Sequence, residues 1–224
     1  MGAPLSPTQL AQFAKYMEML LVWRERFNLT AISDPREIVL KHFADSLSLV
    51  PHMGNAESII DVGTGAGFPG IPLKIALPHL RVTLLDAVNK RVGFLNAVAD
   101  ELALAGITAI HSRAEDAAKQ GTHREMYDIA ASRAVAALPV LAEYALPFVR
   151  PGGCFIAMKG PSVQEELAAS APAIHALGGE HSITISVAIP FSDITHSLVI
   201  ISKLSPTPPR LPRKASQIAK RPII

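Results

Sequence analysis

Residues 59–70 read IIDVGTGAGFPG, an apolar run closing on Asp61, then Gly63, Gly65 and Gly67 at alternate positions, with Gly70 three residues on. Consecutive branched apolar residues suit a strand buried on both faces. The glycines let the chain turn sharply and lie against a ligand that no Cβ would admit. A second apolar run, VTLLD, closes at Asp86. An acid at that strand end is placed to accept hydrogen bonds from ribose hydroxyls. Together the two runs predict a βαβ unit for a nucleoside-containing ligand.

Two ligand classes use such a loop. Gly65, Gly67 and Gly70 satisfy GxGxxG, the dinucleotide spacing, which needs helix N–H groups open to a pyrophosphate. Pro69 and Pro72 remove two of those donors. Read from Asp61 the same loop is DxGxGxG, which resembles the first motif of S-adenosylmethionine-dependent methyltransferases. An acid beside the loop suits that cofactor's cationic amino and sulfonium groups and repels a pyrophosphate. A nicotinamide oxidoreductase, a small-molecule methyltransferase and an RNA-binding module with a vestigial loop are the alternatives.

The chain has 224 residues, 49% hydrophobic and 18% charged, which suits one folded α/β domain with appendages. No apolar run approaches the roughly 18 residues of a membrane span, and no secretory signal is visible. Cys154 is the one cysteine, so neither an internal disulfide nor a cysteine-rich zinc site is expected, and a cytoplasmic protein without a metal follows. The net charge of +2 is unevenly spread. From Lys203 onward Arg210, Arg213, Lys214, Lys220 and Arg221 add cations with no acid among them. Such a tail on a mildly acidic body suits a polyanionic partner. Pro206, Pro208, Pro209, Pro212 and Pro222 predict an extended tail that forms no helix.

Ser6, Pro7 and Gln9 form a capping signature before Leu10, Phe13, Ala14, Met17, Leu20 and Leu21 at helical spacing. Asp34, Pro35 and Glu37 begin a second helix in the same way. Strands are expected near 57–62, 81–86, 107–111, 127–132, 153–158, 182–189 and 196–203, with helices near 70–77, 89–105, 138–148 and 162–177. This alternation implies a seven-stranded, mostly parallel sheet. The short link Pro190–Asp193 forces the last two strands to pair antiparallel. The expected organisation is a helical extension over 1–55, a Rossmann-like core over 56–204 and a basic tail over 205–224.

In such sheets ligands bind at the carboxyl ends of strands. Those ends offer Gly63 to Phe68, then Asp86 with Lys90 and Arg91, then Ser112 to Glu115, then Ser132 to Ala134, and then Lys159 with Gly160. Glu115 suits an adenine edge. Lys41, His42, Asp45 and Ser46 fall at helical spacing and read as a surface salt-bridge face. The SerArgAla after the fourth strand is not the proline-rich motif of exocyclic-amine methylation. Cys154 lies inside the fifth strand, a core position rather than a nucleophile's. A substrate that is already nucleophilic remains, such as the Hoogsteen ring nitrogen of guanine.

Several segments together resemble the bacterial GidB (RsmG) methyltransferases over nearly the whole chain. They are NLTAI at 28–32, KHFADSL at 41–47, DVGTGAGFPGIPL at 61–73, LLDAVNKRVGFL at 84–95, SRAEDA at 112–117, SRAVA at 132–136, MKG at 158–160 and PRKASQIAKRP at 212–222. The resemblance implies a class I S-adenosylmethionine-dependent fold with a seven-stranded sheet. It also implies methylation of nitrogen 7 of a guanosine in 16S ribosomal RNA, free or in the small ribosomal subunit. Carried over by position, cofactor contacts fall on Gly63, Phe68, Ala114, Glu115 and Arg133. Gly65 and Gly67 complete the cradle, and Asp86 is added on ribose chemistry. Arg133, Lys159, Arg91, His42, Arg213 and Lys214 are the expected RNA or phosphate contacts. No residue is assigned a proton-transfer role, and a monomer is expected.

Overall fold

The structure is a computed structural model and describes residues 4–133, 136–160 and 163–223. Among them the chain contributes to a seven-stranded sheet and divides into two compact units. The first unit runs up to His111 and includes Ile189–Ile194; the second runs from Ser112 to Ala188 and from Thr195 onward.

The first unit opens with α1 (Pro7–Arg24), started by the expected capping box in which Ser6 and Gln9 satisfy each other's backbone N–H. Asp34 caps α2 (Pro35–Ile38), which continues through a π-helical turn (Val39–Ala44) into α3 (Asp45–Leu47). Then come β1 (Ser58–Val62), α4 (Gly70–Ala76), β2 (Arg81–Asp86), α5 (Asn89–Glu101) and β3 (Ile107–His111). The strands are ordered β3-β2-β1 and both pairings are parallel, with Asp61 opposite Leu84 and Asp86 opposite His111. Ile59, Ile60, Leu84, Phe94 and Leu95 are fully buried or nearly so, each worth about 1.5 to 3 kcal/mol of apolar burial.

Helix α1 departs from its expected stripe. Phe13, Tyr16 and Leu20 turn into the core, while Leu10 is 55% exposed and lines, with Met17, Val39 and Leu47, an apolar groove of about 340 Å³. The helix carries two adjacent apolar faces, and periodicity alone did not say which one packs inward.

The second unit contains α6 (Ala114–Ala117), β4 (Tyr127–Arg133), α7 (Leu138–Ala145), β5 (Val149–Lys159), α8 (Gln164–Ala176), β6 (Gly179–Ala188), β7 (Thr195–Lys203) and α9 (Ala215–Lys220). Its strands are ordered β4-β5-β7-β6; β4 and β5 are parallel, and β7 is antiparallel to both neighbours. Strand β5 starts earlier than expected because an irregularity in its pairing with β4 carries the ladder back to Val149. Gly152 turns there at a φ of +87°.

The tail is not the extended segment its prolines suggested. It forms α9 and buries Leu211 and Ile218. None of the five prolines lies inside Ala215–Lys220. Pro212 precedes the helix and Pro222 follows it, positions where a ring ends a helix without breaking one.

Candidate functional site

The glycine loop is held by the two acids that bracket it. Asp61, fully buried at the end of β1, accepts from the Thr64 hydroxyl at 2.6 Å and from the Gly70 N–H at 2.8 Å on one oxygen. Asp86, only 3% exposed, accepts from the Gly65 N–H at 2.9 Å, from the Val88 N–H at 2.8 Å and, longer, from Arg91 at 3.4 Å. Gly63 and Thr64 donate to the Leu85 carbonyl at 2.8 and 3.1 Å. The loop is therefore stitched to the end of β2 and is preformed.

The glycines differ in what requires them. A Cβ on Gly65, at a φ of +61°, would meet nothing within 4 Å, so open space lies against that backbone. A Cβ on Gly67, at a φ of +102°, would stand 2.5 Å from Ile71 Cδ1 and 2.8 Å from the Tyr16 hydroxyl. On Gly70 it would strike Leu84 and come within 3.0 Å of an Asp61 oxygen. Gly65 leaves its backbone open, whereas Gly67 and Gly70 are needed for packing.

The start of α4 bears on the dinucleotide alternative. The Gly70 N–H is taken by Asp61, the Ile71 N–H by Gly67 O at 2.8 Å and the Leu73 N–H by Pro69 O at 3.1 Å, and Pro72 has none. No donor of that turn is left for a pyrophosphate. Asp61 turns its charge on the loop it braces, one oxygen taking both the Thr64 hydroxyl and the Gly70 N–H.

Other expected residues are placed differently. The Phe68 ring is buried beside His42 (centroids 4.4 Å apart, 18° between planes), Tyr16 and Phe43. It belongs to the core of its unit, and what it offers a ligand is main chain. His42 is only 9% exposed and shares a 2.8 Å hydrogen bond with the Thr30 hydroxyl. The expected surface face of Lys41, His42, Asp45 and Ser46 thus reduces to Lys41, which pairs with Glu37 at 2.7 Å. The π-helical turn breaks the spacing on which the surface reading relied.

In the second unit Ala114 and Glu115 form the first turn of α6. Glu115 is 5% exposed as a residue, and among the described residues its carboxylate receives no hydrogen bond from the chain. A carboxylate in that condition is suited to a ligand's donors. Tyr144 nearby has its phenol held above the usual range, chiefly by burial and secondarily by the Glu115 charge. Arg133 ends β4, half-buried and opposite Met158. Ala134 and Val135 of the SRAVA segment lie outside the described residues.

Lys159 is mostly buried and bonds Glu166 at 2.7 Å and the Ala136 carbonyl at 2.9 Å; Glu166 in turn accepts from the first N–H of α7, at Leu138. Arg213 makes a two-pronged pair with the buried Glu143, at 2.6 Å from Nη2 and 2.9 Å from Nε, which raises its pKa further. Lys214, Arg210, Lys220 and Arg221 are exposed. The Cys154 thiol is pushed up to about 11 by burial, so it stays protonated and is no nucleophile at neutral pH.

Sequence reasoning missed what holds the tail. Arg124 donates to the carbonyls of Thr207 at 2.7 Å and Leu211 at 2.9 Å, and Glu125 accepts from the Thr207 N–H at 2.5 Å. Lys203, fully buried, donates to Leu177 O at 2.8 Å and to the Thr207 hydroxyl. The polar loop from Ala118 to Glu125 is the tail's anchor. A signal existed only in that loop's polarity.

Comparison with known proteins gives the chain's family and its fold. The GidB family, described as rRNA small subunit methyltransferase G, matches residues 9–194. A ribosomal RNA small subunit methyltransferase G from Alkaliphilus metalliredigens (strain QYMF) is 49% identical over 225 residues, covering 100% of this chain and 94% of that protein. One from Alkaliphilus oremlandii (strain OhILAs) is 50% identical over 221 residues, covering 98% and 92%. Among solved structures, an O-methyltransferase from Bacillus cereus in complex with SAH superposes with a TM-score of 0.58 at 18% identity, over 84% of this chain and 91% of that one. TrmN from Thermus thermophilus gives 0.54 at 17%, over 71% and 48%. At such identities these two speak for the fold alone, which is the Rossmann-like fold of class I methyltransferases.

Proposed function

The chain belongs to the GidB family, the rRNA small subunit methyltransferases G, and from that premise we propose that it methylates nitrogen 7 of a guanosine in 16S ribosomal RNA. It is an rRNA methyltransferase that uses S-adenosyl-L-methionine. We further propose that it works in the cytoplasm as a monomer, with the segments 1–55 and 205–224 serving a 56–204 core. No helix among the described residues is long and apolar enough to cross a membrane.

The observation that carries the reading is the preformed glycine loop, open at Gly65 and closed to phosphate at α4. The cofactor, when bound, supplies an electrophilic methyl group on a sulfonium. Gly63 and Gly65 would hold its methionine end. Asp86 would receive a ribose hydroxyl on what remains of its roughly four acceptor positions, three of which already carry donors. Glu115, with Ala114, would take the adenine's donors. Arg133 and Lys159 would steady RNA or phosphate.

The substrate nitrogen carries its own lone pair and no proton, so no side chain is asked to act as base. What the chain contributes is alignment of the two reactants and exclusion of water, effects that supply up to about 7 to 11 kcal/mol in well-oriented systems. The protonated Cys154 thiol is consistent with a route that needs no covalent enzyme intermediate.

The deciding experiment maps N7-methylguanosine in 16S ribosomal RNA from cells with and without this protein. It is joined to methyl transfer by the purified enzyme onto free RNA and onto small subunits. Loss of one modified guanosine, restored by the enzyme, is expected. An unchanged RNA map together with retained cofactor binding would overturn the reading in favour of a small-molecule methyltransferase.

A further inference from the structure

Helix α1 reaches the glycine loop directly. Tyr16 is 0% exposed and donates its hydroxyl to the Ala66 carbonyl at 2.5 Å. Ala66 sits between Gly65, where open space meets the backbone, and Gly67, whose missing Cβ makes room for that same hydroxyl. The ring is fixed by Phe43, Phe68 and Phe94, with centroids 5.4, 5.5 and 6.4 Å away. A buried phenol with one polar atom, delivered by a distant segment to the middle of a ligand loop, does more than fill space.

We propose that Tyr16 is a positioning residue for the cofactor loop: its hydroxyl fixes the Ala66 peptide, and so sets the orientation in which Gly65 and its neighbours meet the methionine end of S-adenosylmethionine. The chemistry is one of constraint. Asp86 holds the N–H side of the loop at Gly65, and the Gly67 N–H donates back to Thr64 O at 3.0 Å. The Ala66 carbonyl receives the Tyr16 hydroxyl as its partner from outside the loop. Without that donor a buried carbonyl loses its hydrogen bond, and the Ala66–Gly67 peptide is held on its N–H side alone, by Thr64 O. Each non-binding orientation then populated weakens the apparent affinity in proportion to the fraction of loop left competent.

This inference rests on the assignment of the loop to S-adenosylmethionine. The test is calorimetric binding of that cofactor, and steady-state kinetics on 16S ribosomal RNA, for the wild type, Tyr16→Phe and Gln9→Ala. Tyr16→Phe keeps the ring and its packing and removes one oxygen. Gln9→Ala removes a different tie of the same helix, from Gln9 Nε2 to the carbonyls of Ile75 at 2.8 Å and Ala76 at 3.1 Å, without touching the loop.

Tyr16→Phe is expected to raise the cofactor Kd and KM about five- to tenfold, the size of one hydrogen bond, with kcat within about twofold of wild type. Gln9→Ala is expected to lower the melting temperature at least as much as Tyr16→Phe while leaving Kd unchanged. An unchanged Kd in Tyr16→Phe, or an equal rise in Gln9→Ala, overturns the inference and makes the contact one of general stability. Failure of the wild type to bind S-adenosylmethionine overturns the assignment beneath it.

Discussion

The glycine loop and the C-terminal tail are both irregular stretches held in place by side chains, yet they are held from opposite distances. The loop's carboxylate ties come from nearby in sequence: Asp61 reaches Gly70 nine residues on and Asp86 reaches back 21 to Gly65, with Tyr16 adding a remote tie to Ala66 across 50 positions. The tail's ties span the second unit. Arg124 meets Leu211 across 87 positions and Glu143 meets Arg213 across 70. The loop is thus encoded largely where it stands, and the tail is encoded elsewhere. A glycine spacing states its purpose locally, whereas a buried glutamate on α7 looks like any helical acid until its partner arrives.

The loop's rigidity is most exposed at Gly67. Gly67→Val places a branched side chain at a φ of +102° and against Ile71 and Tyr16, so unfolding in urea should show a loss of about 4 kcal/mol from strain and overpacking combined. A loss under 1 kcal/mol would mean the loop relaxes freely and is not preformed.

Glu143→Ala attacks the tail from its remote end. It leaves Arg213 without its carboxylate and the Arg213 N–H without its 2.8 Å acceptor. A stability loss of about 3 kcal/mol is expected, given that Arg213 is partly open to water. Limited proteolysis should then cut within residues 205–223 much faster than in wild type. Unchanged cleavage would show that the apolar contacts of Leu211 and Ile218 suffice.

Lys203 links the tail to pH. Burial lowers its pKa to about 8, opposed by the charge of Glu125. Between pH 8 and 10.5 the unfolded chain therefore binds a proton that the folded chain has released. Stability should rise with pH across that window, by up to about 3 kcal/mol, and the cost of burying the cation is fully present below pH 8. Urea midpoints from pH 7 to 10.5, compared with Lys203→Met, read this directly. Parallel curves for the two proteins would refute it.

Gly65→Val is the mildest for stability, about 1 to 2 kcal/mol from the positive φ alone, because its Cβ meets open space. Cofactor binding should nevertheless disappear in calorimetry, which separates a glycine kept for a ligand from one kept for packing. Retained affinity would make the two glycines equivalent.

Much of this was readable in the residues. Strands β1 to β3 stand where apolar runs between breakers placed them, and α1 starts at its capping box. Gly65 and Asp86 were recognisable because backbone freedom and an acid at a strand end are local chemical requirements. Tyr16 was passed over because it sits between Phe13 and Met17, and periodicity could not choose which side of that helix packs inward. His42 was read as a surface group because a π turn cannot be seen in a heptad-like spacing. The tail was judged by its prolines, whose positions outside Ala215–Lys220 count for more than their number.

The π-helical turn at Val39–Ala44 has a consequence for insertions and deletions. A π turn holds one residue more than the α turn it replaces. Removing one residue there would let the segment wind as an uninterrupted α-helix that keeps the faces beyond it, because the turn gives up only its extra residue. Asp45 and Ser46 would stay in the interior. Helix α1 holds no such spare residue: a deletion between Phe13 and Tyr16 would rotate its two parts against each other by about 100°, and Phe13 could no longer share a buried face with Tyr16 and Leu20. Of two deletions equal in length, the π turn would absorb one and α1 would lose its register to the other.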